Sequence, residues 1–425
     1  MSIPETYLAD HLFLLVGTNP LPNYVSARVL CRPDAHLYLV TSRKMEQIRN
    51  NLVAALGLEI GRNCTVIEIN ESDGSDIFNG VSKAAKALEG KGRVMLNYTG
   101  GTKVMAVHAY RALETTLTEG LFSYLDARSL KMVIQKPGGL GESYTIEYKV
   151  ELETLLGLHN YEYYKANING QTSVKQPNQQ PLLAQQAGAF ARALWKAWEE
   201  GDSVKERFEL FKKFYEAWNN WKNGVKGKLK TDHALLPLPA DVENISLADL
   251  WGNNNNLAEL EQDWQLDTLR ILRWLDGEWL EHYTLDCAQR AGQQTGVDFI
   301  GQGIKIQKKA TKNATPVDVE LDILAIKGHQ LFAISCMSNP KKSTLKDHLL
   351  EIFMRARQLG GDEARIALVC IIPPFTDING SFIPGPEVLQ EEVGVDWMAE
   401  DVIQIYGLEQ LQNLEDYLKK WFEKR

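Results

Sequence analysis

A chain of 425 residues, 44% hydrophobic and 24% charged, has the proportions of a soluble globular protein with two or three cores. Its 46 basic and 55 acidic side chains leave a net charge of −9, which argues against a surface coated in positive charge for nucleic acid. A local basic groove survives that average.

Five cysteines, Cys31, Cys64, Cys287, Cys336 and Cys370, never form a CxxC pair, and the eight histidines show no HxH or HExxH spacing. Both observations speak against a zinc site, and the scattered thiols fit a reducing cytosol. The apolar run 12–16 is too short for a signal segment or a membrane span. A soluble, cytoplasmic protein is expected.

Residues 1–150 alternate between strand-like and helix-like patterns. Strands are predicted at 11–17, 36–42, 64–70, 93–99, 121–127, 131–136 and 143–149, with helices notably at 44–56, 76–88 and 103–117. This alternation predicts an α/β fold with a parallel, doubly wound sheet, finished by an antiparallel hairpin or meander. Ligands of such sheets bind at the C-terminal strand ends. Those ends here read VGTNP, TSRK, INESDGSD, NYTGGTK and LDARS, all small, polar and mostly glycine-bearing.

Residues 151–165 read as a connector helix and 167–181 as a polar linker. From 182 to 229 the pattern is helical, with Trp195, Trp198, Phe211, Phe214, Tyr215, Trp218 and Trp221 at three- and four-residue spacings, a packing stripe. Residues 231–257 form an irregular join. After residue 263 come an apolar-periodic helix through LRILRWLDGEWLEHYTLDCAQR, strands at 317–328 and 329–336, a helix at 343–359 and a strand at 365–372. These make a second, smaller α/β core. GIKIQKKATKN, with Lys305, Lys308, Lys309 and Lys312, reads as a basic hairpin or loop with a solvated edge.

In NYTGGTK (97–103), glycines let backbone approach a ligand, and a helix starting near Thr102 presents free N–H groups and the positive end of its dipole. Two threonine hydroxyls and Lys103 complete a phosphate cradle without P-loop spacing. The plainer alternative is a tight Gly100–Gly101 turn with Thr102 as an N-cap.

VGTNPLPN (16–23) together with NYTGGTK resembles the CARF domain, a Rossmann-like sensor of cyclic oligoadenylate in type III CRISPR defence. The resemblance covers residues 1–155. It implies a homodimer with a ligand pocket on the two-fold axis, the ligand taken as the tetramer. Thr18 and Asn19 match the first loop; Thr99, Gly101, Thr102 and Lys103 match the second, with Gly100 between them counted among the ligand-binding residues. Thr41, Ser42, Ser72, Asp73 and Ser75 match by position at strand ends.

The C-terminal part carries LDGEWLEHY (275–283), VELDILAIKGHQLFAISCMS (319–338) and LKDHLLEIFMRARQLGG (345–361). Two or three carboxylates converging at a hairpin can hold Mg²⁺ or Mn²⁺ and so promote attack on a phosphodiester. Asp322, between Leu321 and Ile323, is an acid inside an apolar strand and needs a partner there. This order resembles the PD-(D/E)xK nuclease fold fused to CARF domains. The resemblance implies Asp322 as central metal ligand, Glu281 as the carboxylate of the first helix, and DNA or RNA as substrate.

The carboxylate-x-lysine triplet of that family reads Ser335-Cys336-Met337 here. Glu320 or Glu351 is then the substitute carboxylate, and Lys341, Lys342 or Lys346 the substitute cation. The expected organisation is a sensor domain at 1–155, a helical connector or insert at 156–257, and a nuclease-like domain at 258–425, with the helical middle at 156–250 as the candidate lever. Two other readings stay open on sequence alone. One is a sensor whose degenerate nuclease domain binds nucleic acid or a partner; the other is a ring nuclease using Lys103.

Overall fold

The computed structural model describes residues 3–126, 129–168, 171–174, 176–199, 202–229, 236–309, 318–338, 342–371, 375–376, 382–383, 385–397 and 402–423. The expected sites Lys312 and Lys341, and part of LDARS, lie outside the described residues.

The first domain is built on β1 (Ala9–Leu15), β2 (Cys31–Thr41), β3 (Cys64–Glu68), β4 (Val94–Asn97), β5 (Leu121–Asp126), β6 (Lys131–Gln135) and β7 (Glu142–Thr145), in the spatial order β3-β2-β1-β4-β5-β6-β7. The first five are mutually parallel; β5-β6-β7 is an antiparallel meander. Chain order therefore reverses between β1 and β4, opening a crevice at their C-terminal ends. Helices α1 (Leu21–Leu30), α2 (Glu46–Leu56), α3 (Gly74–Lys86) and α4 (Lys103–Thr116) make the crossovers. The α/β fold expected from the sequence is the fold observed. Helix α1 had no clear periodic signal, because seven consecutive residues, Leu21–Ala27, are all buried and no polar face marks it.

Helix α5 (Leu152–Leu158) is shorter than the connector helix expected at 151–165. It stops where Asn160 takes a left-handed backbone, φ 63°. The chain then becomes β8 (Tyr161–Tyr163), an edge strand of the second sheet. Next come α6 (Ala184–Glu199) and α7 (Val204–Gly227), whose stripe is core as expected: Trp198, Phe211, Phe214 and Trp218 are buried. The join at 231–257 holds a short hairpin, Asp241–Val242 with Ile245–Ser246, and one helical turn, Ala248–Trp251.

A six-stranded sheet organises the rest. It comprises β8, β9 (Phe299–Lys308), β10 (Asp318–Lys327), β11 (Gln330–Met337), β12 (Arg365–Cys370) and β13 (Ile403–Tyr406), in that spatial order. Helix α8 (Trp279–Thr295) precedes β9, α9 (Lys342–Gly360) joins β11 to β12, and α10 (Leu414–Glu423) follows β13. The basic segment expected as a hairpin or loop is strand β9 through Lys308, and β9 pairs antiparallel with the next strand, β10, as a hairpin does. Ile304 and Ile306 point inward and Lys305 lies between them, a period of two that its lysines obscured.

β10 and β11 are buried on both faces. Leu324, Ile326, Leu331 and Ala333 join an apolar cluster continuous with β1 and β2 of the first domain. Ile323, Ala325, Phe332 and Ile334 join a second cluster with α6, α7 and α8. The two domains thus share a core on one side, and the helical middle packs on the other. Among the described residues no helix is long and apolar enough to cross a membrane.

Candidate functional site

Two cavities hold most of the residues singled out from the sequence. The first opens at the β1/β4 reversal. Asn97, buried at the end of β4, donates Nδ2–H to Ser123 Oγ (3.1 Å) and accepts from Thr99 N at 3.3 Å. Thr99 Oγ1 accepts from Leu125 N at 2.7 Å, which ties the loop to β5. A Cβ on Gly100 would lie 2.2 Å from Leu15 O, and Gly101 has φ +76°, so both glycines are required by the fit of this loop against the end of β1. Thr102 Oγ1 caps α4, accepting from Met105 N at 3.1 Å and donating to Glu71 O at 3.3 Å. The tight turn and the N-cap are therefore real, and they shape a cavity rather than replace one.

That cavity has a volume of about 990 Å³. Thr18, Asn19, Thr99, Gly100 and Gly101 line one side, with Tyr98 and Tyr124. Phe353, Arg357, Gln358 and Glu363 of the second domain line the other, and His159 stands at the domain junction. Thr41, Ser42, Thr102 and Lys103 lie outside its wall. Thr41 is fully buried, and Ser42 donates its hydroxyl to Glu71 (2.7 Å). Lys103 is exposed in the first turn of α4. Asp73 caps α3, accepting from Ser75 N and Asp76 N.

The second cavity, about 690 Å³, lies where α8, β10, β11 and α9 meet. Its wall brings together Glu281, Glu320, Asp322 and Glu351, four acids separated by up to seventy residues in sequence. Glu281 sits in the first turn of α8 and accepts a hydrogen bond from Gln302 Nε2 at 3.1 Å. Asp322 Oδ2 accepts from Ser335 Oγ (3.0 Å) and from Cys336 N (2.8 Å). Glu320, half-exposed, pairs with Lys305 at 2.7 Å. Burial, with the Asp322 charge behind it, pushes the Glu281 carboxyl up to about 7. Burial also raises Asp322, against its two hydrogen-bond donors. Gln302 Oε1 is buried with no partner among the described residues.

Lys346 is elsewhere: its ammonium pairs with Glu392 at 2.6 Å, outside the cavity wall. Met337 packs against the core shared by the two domains. The cavity wall instead carries Lys305, His348, Arg355 and Tyr164. The sequence reading missed this company, although the Ile304-Lys305-Ile306 alternation and the spacing of His348, Ile352 and Arg355 along one face of α9 carry a signal for three of the four. Among the described residues, no three His, Cys, Asp or Glu side chains form a ready-made metal cage. The chemistry of the donors nevertheless suits a hard cation: enclosed carboxylate oxygens that repel each other, beside an unpartnered amide oxygen.

Residues 12–154 match the family model described as the Card1 CARF domain. No curated protein matches the chain. Among solved structures, protein VC1899 from Vibrio cholerae is similar over 98% of both chains, with 14% identity and a TM-score of 0.67. Can2 from Sulfobacillus thermosulfidooxidans, solved in complex with cyclic tetra-adenylate, is similar over 97% of both chains, with 14% identity and a TM-score of 0.62. Across nearly its whole length, then, the chain has the two-part α/β fold of these proteins, with the CARF match confined to its first domain.

Proposed function

We propose that the protein is a cyclic oligoadenylate-activated, metal-dependent endonuclease of type III CRISPR defence, working as a homodimer. The observation that carries this reading is the convergence of Glu281, Glu320, Asp322 and Glu351 on one cavity, in a chain whose other cavity is framed by the loops of the CARF match. Support for the ligand comes from Can2, whose solved structure is a complex with cyclic tetra-adenylate. A two-fold ring of phosphates suits a pair of identical loops about a dimer axis. Val104 and Val107, exposed on α4 beside the Thr102 cap, offer apolar surface for the second copy.

Mg²⁺ or Mn²⁺, held by Asp322 and Glu281 with Glu320 as a further oxygen donor, would polarise the scissile phosphodiester. The chain's own groups do the rest. Ser335 Oγ and Cys336 N fix the orientation of Asp322. Gln302 orients Glu281, whose pKa near 7 lets its carboxylate take up a proton or a cation at neutral pH. Lys305 and Arg355, both in the wall, supply the positive charge that Met337 does not, and hold a backbone phosphate.

A second reading, a sensor with a silent nuclease domain, is favoured by Ser335-Cys336-Met337 and by the engagement of Lys346 with Glu392. One assay separates them. DNA and RNA, single- and double-stranded, are incubated with Mn²⁺, with and without cyclic tetra-adenylate. Ligand-dependent cleavage by the wild type, lost in Asp322→Ala, is expected. Ligand binding with every nucleic acid left intact would favour the silent sensor, and linearised ligand would make the protein a ring nuclease.

A further inference from the structure

We propose that the ligand cavity is completed by the second domain, and that Arg357 on α9 contacts a phosphate of the bound nucleotide ring. This rests on the cyclic oligoadenylate reading above. The cavity is not a surface groove of the first domain. Phe353, Arg357 and Gln358 of α9 and Glu363 beyond it form its far wall.

The two walls are in contact. Gly361 has φ +70°, and a Cβ there would lie 1.8 Å from Asn19 Nδ2, in the loop that follows β1. The strand-end loop thus rests directly on backbone at the end of α9. The far wall also carries polar atoms without partners: His159 Nε2 and Glu363 Oε2 are buried and unsatisfied among the described residues. Burial pushes the His159 imidazole down to about 4, so it is neutral at physiological pH and able to hydrogen-bond a base edge.

Arg357 is the wall's cation. Its guanidinium lies 5.2 Å from the centroid of the Phe353 ring and pairs with Asp362, whose side chain is 79% exposed. An ion pair with so exposed an acid is weak and is readily exchanged for a doubly hydrogen-bonded phosphate. The four N-terminal turns of the same helix place His348, Glu351 and Arg355 in the carboxylate cavity. From Glu351 to Gln358 the helix rises about 10 Å. A second element runs in parallel: His159 faces the ligand cavity, Tyr164 the carboxylate cavity, and Tyr161 Oη donates to Gln358 Oε1 at 3.4 Å. A ligand that draws Arg357 off Asp362 therefore acts on the helix that carries Glu351. This places the coupling in α9 and β8 rather than in helices α6 and α7.

The test titrates the full-length protein with cyclic tetra-adenylate at several ionic strengths, with hydrogen exchange of residues 345–360 followed in parallel. Arg357→Ala is expected to raise Kd about tenfold and to flatten the salt dependence by roughly one phosphate contact. Asp362→Asn, which frees the guanidinium, is expected to bind at least as tightly as wild type. Ligand is expected to slow exchange in α9 of the wild type and of Asp362→Asn, and not of the Arg357 variants. Arg357→Gln keeps a shorter polar stem without the charge and serves as the variant if the alanine form melts early. Unchanged Kd and salt slope in both Arg357 variants would overturn the second-wall proposal while leaving the functional reading intact. A wild type that binds no cyclic tetra-adenylate at any salt would overturn both.

Discussion

The Glu281 carboxyl is the group whose environment most clearly separates binding chemistry from stability. It faces Asp322, Glu278 and Glu320, with Gln302 as its hydrogen-bond donor. Burial and the Asp322 charge raise it from 4.5 to about 7. The folded state therefore holds a proton that the unfolded chain releases, and stability must fall as pH rises from about 4.5 to 7. At 1.36 kcal/mol per unit, the full displacement is worth at most about 3 kcal/mol above pH 7. Glu281→Gln removes the charge and keeps the shape. With chelator present, the variant is expected to be more stable than wild type at pH 8 by up to that amount, and equal to it near pH 4.5. Unfolding midpoints measured from pH 4.5 to 8.5 would show a falling wild-type curve and a flatter variant curve. Adding Mn²⁺ at pH 8 should stabilise the wild type and leave the variant unmoved. Two parallel pH curves would refute the claim that Glu281 is held against repulsion, and with it the argument that the pair is arranged for a cation.

Other consequences are independent of that one. Asp322→Asn leaves Ser335 Oγ and Cys336 N facing an amide, and ligand-stimulated cleavage is expected to drop at least about 10²-fold in a gel assay with ligand Kd unchanged. Gly100→Ala drives a methyl into Leu15 O; a loss of about 1–3 kcal/mol in thermal unfolding and weakened ligand binding are expected. Asp276 accepts hydrogen bonds from Lys222 (2.8 Å) and Lys226 (2.7 Å), and Lys222 is only 5% exposed. Asp276→Asn leaves that ammonium without its counter-charge and should cost about 2 kcal/mol, whereas Lys226→Ala, at an exposed position, should cost far less.

Much of the first domain was legible because its signals are local. Apolar runs alternate with amphipathic helices, and each strand end carries glycine or small polar residues, so a parallel sheet with a ligand crevice followed directly. The packing helices at 182–229 were legible for the same reason: an aromatic stripe at helical spacing has nowhere to go but a core. Where one pattern overlaid another, the reading failed. Helix α1, buried over seven consecutive residues, offers no polar face there to mark a period, and β9 hides its alternation under lysines.

The acids of the second cavity were identifiable one by one, since Asp322 inside LDIL demands a partner. Their company was not. Which cation stands near them is a matter of which face of α9 turns inward, and that is set by Leu345, Leu349, Ile352, Ala356 and Leu359 seeking the core. That burial carries Glu351 and Arg355 into the cavity and leaves Lys346 to Glu392. Likewise, NYTGGTK by itself determines a turn that only glycines can make and a helix start that wants a cap. Whether the turn opens on solvent or on a pocket depends on what lies across from it. Here it is α9, about 250 residues further along the chain, brought there because one face of each sheet buries itself against the other. Local chemistry is written in the order of residues; the second wall of a cavity is supplied by whichever apolar surfaces find each other.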